Sequence, residues 1–206
     1  MENYTENNVV DMAGWISKAP VFNHEIFGEG FYLLYMDIER LSGNVDCIPV
    51  LFSERLIEPT EINVGKWFFI KGQFRSYNVT EKNGRHKLKL LVFAREIQTQ
   101  KSEQAFNNDI LLDGFVCKAP IYRTTPFGRE ITDLLFAVNR AYNKSDYLPC
   151  VVWGRNAKFC GELPVGSHAK ISGRIQSRQY EKKYKDGTVK KNVAYEVSVN
   201  TIEVVE

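Results

Sequence analysis

No stretch of this chain approaches the roughly 20 apolar residues that a membrane span needs, so no association with a membrane is expected. The opening residues, Met1 to Asn8, are polar and carry Glu2 and Glu6; they read as neither a secretory signal nor an arginine-rich transit peptide. Cysteine is sparse. The four cysteines stand at 47, 117, 150 and 160, with no pair at CxxC spacing, which argues against a disulfide framework or a zinc site and for a reducing, cytoplasmic setting. The three histidines, His24, His86 and His168, are scattered, so neither a metal nor a cofactor is expected. Neither sign of charge dominates, with 27 Lys+Arg against 25 Asp+Glu. A chain of 206 residues, 44% hydrophobic, suits one large domain or two of about 100 residues.

The chain repeats itself, which decides between those two. Gly14-Trp15-Ile16-Ser17-Lys18-Ala19-Pro20 returns as Gly114-Phe115-Val116-Cys117-Lys118-Ala119-Pro120. Phe27-Gly28 returns as Phe127-Gly128, and Pro49 as Pro149. Beyond that the offset grows: Val64-Gly65 matches Val165-Gly166, Gly72 matches Gly173, Ser76 matches Ser177, and Asn83-Gly84 matches Asp186-Gly187. An ordered series with small drifts is the mark of one unit duplicated, with short loop insertions. The expected division is 1–98, a polar linker over 99–109, and 110–206.

Each copy reads as β structure. Ala169, Ile171, Gly173 and Ile175 alternate with Lys170, Ser172, Arg174 and Gln176, and Val193, Tyr195, Val197 and Val199 alternate with polar or small residues. Period two marks strands with one buried face. The first copy supplies strands over 9–21, 31–41, 47–52, 67–74 and 87–97. Asn83-Gly84 and Asp186-Gly187 are hairpin-turn dipeptides that tolerate positive φ. Only residues 156–163 read as helix; the counterpart near Arg55 is weaker and interrupted by Pro59. The expectation is an all-β chain of two tandem OB-folds, five-stranded barrels with a short helix between strands 3 and 4. Periodicity alone also allows another small barrel.

The second copy carries a more specific signal. Tyr147-Leu148-Pro149-Cys150-Val151-Val152-Trp153-Gly154-Arg155-Asn156-Ala157 is followed, past the helix, by Gly173-Arg174-Ile175-Gln176-Ser177-Arg178-Gln179-Tyr180-Glu181. These segments resemble the bacterial single-stranded DNA-binding protein family and the related primosomal replication proteins. The resemblance covers most of 110–205 and is weaker over 9–98. It implies a non-enzymatic protein whose OB-folds assemble on one strand of DNA, with replication proteins as candidate partners. Family members usually carry one fold and a flexible tail with an acidic tip. This sequence stops at Val204-Val205-Glu206, so recruitment through such a tail is not expected, and a homodimer giving four OB-folds is.

Single-strand binding needs a basic groove for the backbone and aromatic faces for bases. The local balance of Lys+Arg over Asp+Glu is 0 over residues 9–98 and +5 over 110–206, with +6 between Lys170 and Lys191 alone. Arg174, Gln176 and Arg178 share one strand face; Lys182, Lys183 and Lys185 continue into the hairpin arm, and Arg155 opens the helix. The resemblance picks out Tyr147, Trp153 and Tyr180 as stacking aromatics, and Phe52 and Tyr77, beside Arg75, as their matches in the first copy. The position of Tyr147 falls at Cys47. Phe127-Gly128-Arg129 and Phe27-Gly28-Glu29 lack the further glycines of a phosphate-cradling loop. No acidic dyad or nucleophile motif emerges, so no catalysis is expected. The leading expectation is a largely sequence-independent single-stranded DNA binder acting in replication, recombination or repair. A primosome-like or RNA-binding module, or a protein-interaction scaffold, stands as the alternative.

Overall fold

The computed structural model describes residues 6–80, 84, 86–99, 106–183 and 187–205. The first half holds five strands: β1 (Asn8–Ile26), β2 (Glu29–Glu39), β3 (Val45–Ser53), β4 (Trp67–Thr80) and β5 (His86–Thr99). β1 pairs with both β2 and β4, β2 with β3, and β4 with β5, while β3 meets β5 in parallel through Val50↔Val92 and Leu51↔Phe93. That circuit closes the sheet into a barrel. The second half repeats it with β6 (Asn107–Val116), β7 (Ile121–Thr124), β8 (Glu130–Arg140), β9 (Lys144–Trp153), β10 (His168–Lys183) and β11 (Val189–Val204). β9 and β11 close it in parallel through Cys150↔Val197. Both barrels are OB-folds, as expected from the sequence.

The extra strand is the first one broken in two. Pro20 falls inside an irregularity of β1, where the pairing skips from Lys18 to Val21. Its counterpart Pro120 lies in the interruption between β6 and β7. Proline cannot donate to a ladder, so it is found at such breaks. The helices also differ. α1 (Arg155–Gly161) follows β9, but the first barrel has only a 3-10 turn, Pro59–Glu61, between β3 and β4; the expected helix there is corrected to this single turn. Pro59 suits the first helical position, whereas the following residues do not extend it.

Inward side chains fill each barrel on the period-two pattern. Met12, Ile16, Phe68 and Phe74 are buried in the first; Ile110, Phe136, Leu148, Ile175 and Val197 in the second. The repeated glycines mark crowded positions. A Cβ on Gly14 would collide with the Asp37 carbonyl, and one on Gly114 with the Ala137 carbonyl. Only a hydrogen fits where those backbones approach.

The barrels form one continuous sheet. β1 pairs antiparallel with β6, from Asn8↔Leu112 through Val10↔Ile110 to Ala13↔Asn107. Val10 and Ile110 are equivalent in the repeat, so a pseudo-twofold axis passes between them, and each pairing along this ladder has a mate. Asn8 exchanges two hydrogen bonds with the backbone of Phe74 (2.7 and 2.9 Å). Asn108 does the same with Ile175 (2.7 and 2.9 Å). β5 ends at Thr99 and β6 begins at Asn107; the expected linker falls mostly on 100–105, outside the described residues. Among the described residues no helix is long and apolar enough to cross a membrane.

Candidate nucleic-acid interface

The outward face of β9 is laid out by strand parity. Asp146, Leu148, Cys150 and Val152 point inward and are buried, which turns Tyr147, Pro149, Val151 and Trp153 outward. Tyr147 is 43% exposed and Trp153 41%. An aromatic left this exposed in a small barrel has a face free for stacking. Gly154, at φ 64, turns the chain from β9 into α1, and the positive φ there favours glycine. That corner sets Trp153 and Arg155 against the β7–β8 turn, so that Arg129, Gly128 and Thr124 line the same open cleft. Arg129 is not among the residues the sequence singles out, since Phe127-Gly128-Arg129 lacks the further glycines of a phosphate loop; its own charge is what places it in this cleft's chemistry.

The same corner of the first barrel is chemically opposite. Register places Ser53 opposite Phe31, as Trp153 stands opposite Ile131, so Ser53 is the counterpart of Trp153. Phe52 is one residue out. It points inward, is fully buried and belongs to the core, so it is no stacking face. A slip of one residue moves a side chain to the other side of a strand. Around Ser53, Glu29 replaces Arg129; it accepts from the Ser53 hydroxyl and pairs with Arg55 (3.1 Å). Glu54 accepts from the Gly30 backbone N–H (2.8 Å). This corner is acidic and internally satisfied, where its mate is basic and aromatic.

β10 divides its residues between two tasks. Arg174 donates to Asp46 of the first barrel (3.1 Å) and to Gln176 (3.1 Å). Gln176 is 6% exposed and donates to Glu196 (2.7 Å). Arg178 lies 3.6 Å from Glu196. Arg174, Gln176 and Arg178 therefore share one strand face, as expected; of the three, Arg174 reaches across to the first barrel, and Gln176 is buried between Arg174 and Glu196. Further out, Tyr180 (38% exposed) and Lys182 lie on the exposed arm. Tyr180 borders an apolar groove of about 500 Å³, walled by Pro149, Val193 and Tyr195 and, from the first half, by Tyr35, Pro49 and Leu88. Burial pushes the Tyr195 hydroxyl up to about 12, so it stays a neutral wall. Lys185 and the side chain of Lys183 lie outside the described residues.

The barrel-joining network follows the pseudo-twofold axis with one asymmetry. Asp46 and Asp146 are both fully buried. Asp46 accepts from Arg40 Nε (2.6 Å), from Arg174, and from the backbone N–H of Ser177 (2.7 Å). Asp146 accepts from the backbone N–H of Ser76 (2.8 Å) and from Arg140 (3.3 Å), and its Oδ2 has no protein partner. Burial, above all, holds the Asp146 carboxyl above its ordinary pKa. Ser76 and Ser177 thus hold equivalent places, and counting from them sets Val79, not Tyr77, opposite Tyr180. Tyr77 is half-buried on β4, and Arg75 packs over the Phe93 ring, 4.2 Å from its centroid.

The Single-strand binding protein family matches residues 107–205, the span of the second barrel. Single-stranded DNA-binding protein 1 of Staphylococcus aureus is 40% identical over 81 residues, covering 36% of this chain and 48% of that protein. Single-stranded DNA-binding protein 2 of Listeria innocua is 33% identical over 106 residues, covering 48% of this chain and 64% of that one. The chain thus spans between about half and just under two thirds of the length of these relatives. Among solved structures, the wild-type single-stranded DNA binding protein of Thermus aquaticus superposes with a TM-score of 0.77 at 20% identity, over 97% of this chain and 93% of that one. That likeness extends the fold match across both barrels. The second barrel of this chain is thus similar in sequence to the single-strand binding protein family, and both barrels share its fold.

Proposed function

We propose that this chain binds single-stranded DNA with little sequence preference, through the outer face of its second barrel, in replication, recombination or repair. One observation carries the reading. At equivalent corners of the two barrels, Arg129, Trp153 and Arg155 stand in the second where Glu29, Ser53 and Arg55 stand in the first. An exposed aromatic that shares a cleft with two arginines, and with Glu130, offers a stacking surface for a base and charges for its flanking phosphates. Tyr147, on the same face of β9, and Tyr180 and Lys182, on the arm, extend that surface. The first barrel contributes less, through Arg75 and Tyr77, and serves mainly as the structural mate that completes the shared sheet.

The same proposal includes a cytoplasmic setting, a division into two domains, 1–98 and 110–206, around a linker over 99–109, and a homodimer of four barrels. The apolar groove beside Tyr180, with Leu88 and Val193 exposed on its rim, supports a dimer. Light scattering that returns a mass near 23.7 kDa, that of one chain, across micromolar concentrations would reject it. Binding is tested by titrating the full chain with oligo(dT) and with a duplex of equal length. The expected result is preference for the single strand and a steep loss of affinity with salt. Equal affinity for both, or none for either, rejects the function.

A further inference from the structure

The pseudo-twofold axis produces two equivalent clefts between the barrels, and they have diverged. In one, Arg40 and Arg174 both pair with Asp46, Gln176 donates to Glu196, and the repeat sets neutral residues, Gln176, Asn44 and Asn200, at three positions. In the other, about 260 Å³ in volume, the equivalent positions hold Arg75, Lys144 and Arg95, beside Arg140 and Asp146. The equivalence of Arg95 and Asn200 is fixed by register. Each is the bulge residue passed over where β4 pairs with β5, and β10 with β11.

Three cations have therefore entered a cleft whose mate has none at those positions. Arg75 donates to Gln73 Oε1 at 2.7 Å and Arg95 approaches the same oxygen at 3.4 Å. Both guanidiniums also lie over the Phe93 ring, at 4.2 and 5.4 Å. Arg75, Arg95 and Lys144 form no ion pair with a carboxylate among the described residues, and Arg75 Nε is buried without a partner. Like charges brought together cost energy unless an anion joins them. The acid nearby is already engaged: Asp146 is turned toward Arg140 and Ser76 and, among the described residues, forms no ion pair with Arg75, Arg95 or Lys144.

We propose that this cleft is a phosphate-binding site. Planar guanidiniums suit the bidentate recognition of phosphate oxygens, and Lys144 on the exposed rim adds a point charge. Resting on the single-strand reading above, the phosphate is one of the DNA backbone, held where a strand passes from one barrel to the other. Inorganic phosphate offers the same chemistry from a free source.

The test follows the arginine Nε–H signals of the full chain by NMR, assigned by their loss in Arg75→Gln and Arg95→Gln. Saturable shifts of both on adding inorganic phosphate, but not sodium chloride at equal ionic strength, are expected. The same shifts are expected with oligo(dT). Oligo(dT) affinity should fall about 10-fold in Arg75→Gln/Arg95→Gln, with a salt slope smaller by about 0.7 per lost phosphate contact. Lys144→Gln, on the rim, should act in the same direction if the double variant fails to fold. Signals that respond to phosphate in a chain that does not bind oligo(dT) would refute the DNA reading and assign the site to a free phosphate. Signals silent to both ligands overturn the site. In a chain that binds DNA, unchanged affinity and slope in the variants overturn the backbone assignment.

Discussion

Removing the charge of Asp46 tests how the two barrels are held together. Its side chain is 1% exposed and accepts hydrogen bonds from Arg40, from Arg174 across the interface, and from the Ser177 backbone. In Asp46→Asn the amide keeps one acceptor for Ser177 but turns an N–H₂ donor toward two guanidiniums. Breaking a buried ion pair by removing one partner costs about 3–5 kcal/mol. The arginines here are 25% and 30% exposed and regain some water, so about 3 kcal/mol is expected. Asp146→Asn is the internal control. That carboxylate has one arginine, at 3.3 Å, and an Oδ2 with no protein partner, so its loss should cost about 1 kcal/mol. Urea unfolding at pH 7 measures both. At about 2–4 °C per kcal/mol for a chain of this size, Asp46→Asn should lower Tm by about 6–12 °C and Asp146→Asn by a third of that. Equal losses, or a larger one for Asp146→Asn, would refute the asymmetry of the network.

Three further outcomes are expected. Arg129→Glu should recreate the first barrel's corner, pairing with Arg155 as Glu29 pairs with Arg55, and oligo(dT) affinity should fall with a shallower salt slope; a folded variant that binds like wild type contradicts this. Because burial raises the Asp146 pKa, the folded chain holds a proton more tightly than the unfolded one. Stability should then decline as pH rises from about 3.9, the ordinary carboxyl value, through the raised pKa, and the urea midpoints of Asp146→Asn should lack that component. Gly114→Ala should cost about 1–3 kcal/mol by calorimetry, since its Cβ would meet the fixed Ala137 carbonyl; a neutral effect would show that the strands can part there.

The alternation over 169–176 and 193–200, and the repeated Gly-aromatic and Ala-Pro segments, made both barrels legible because burial on one face of a strand imposes period two on the chain. What could not be read was which strands meet across the barrels. Asp46 and Ser177 are 131 residues apart, and no local pattern announces their contact. Arg174 therefore reads as an open groove residue although it also pairs with Asp46 of the other barrel. The error at Phe52 has a different origin. Matching aromatic to aromatic ignored strand parity, whereas the pairing of β2 with β3 puts Ser53 in the place of Trp153. The same habit set Tyr77 against Tyr180, although the two serines that bind the opposite aspartates count out Val79. Arg129 carries no local pattern of its own, because its place beside Trp153 is set by the β7–β8 turn meeting the end of β9.

Base stacking on the second barrel is proposed to centre on Trp153. Trp153→Ala should weaken oligo(dT) binding by about 1–3 kcal/mol while leaving the salt slope unchanged, because a ring contributes stacking and displaces no counterions. Circular dichroism and the urea midpoint verify that the variant is folded, as expected for a side chain that is 41% exposed. Fluorescence anisotropy of labelled oligo(dT), read against wild type over a salt series, measures both quantities. A folded Trp153→Ala chain with wild-type affinity would contradict the account.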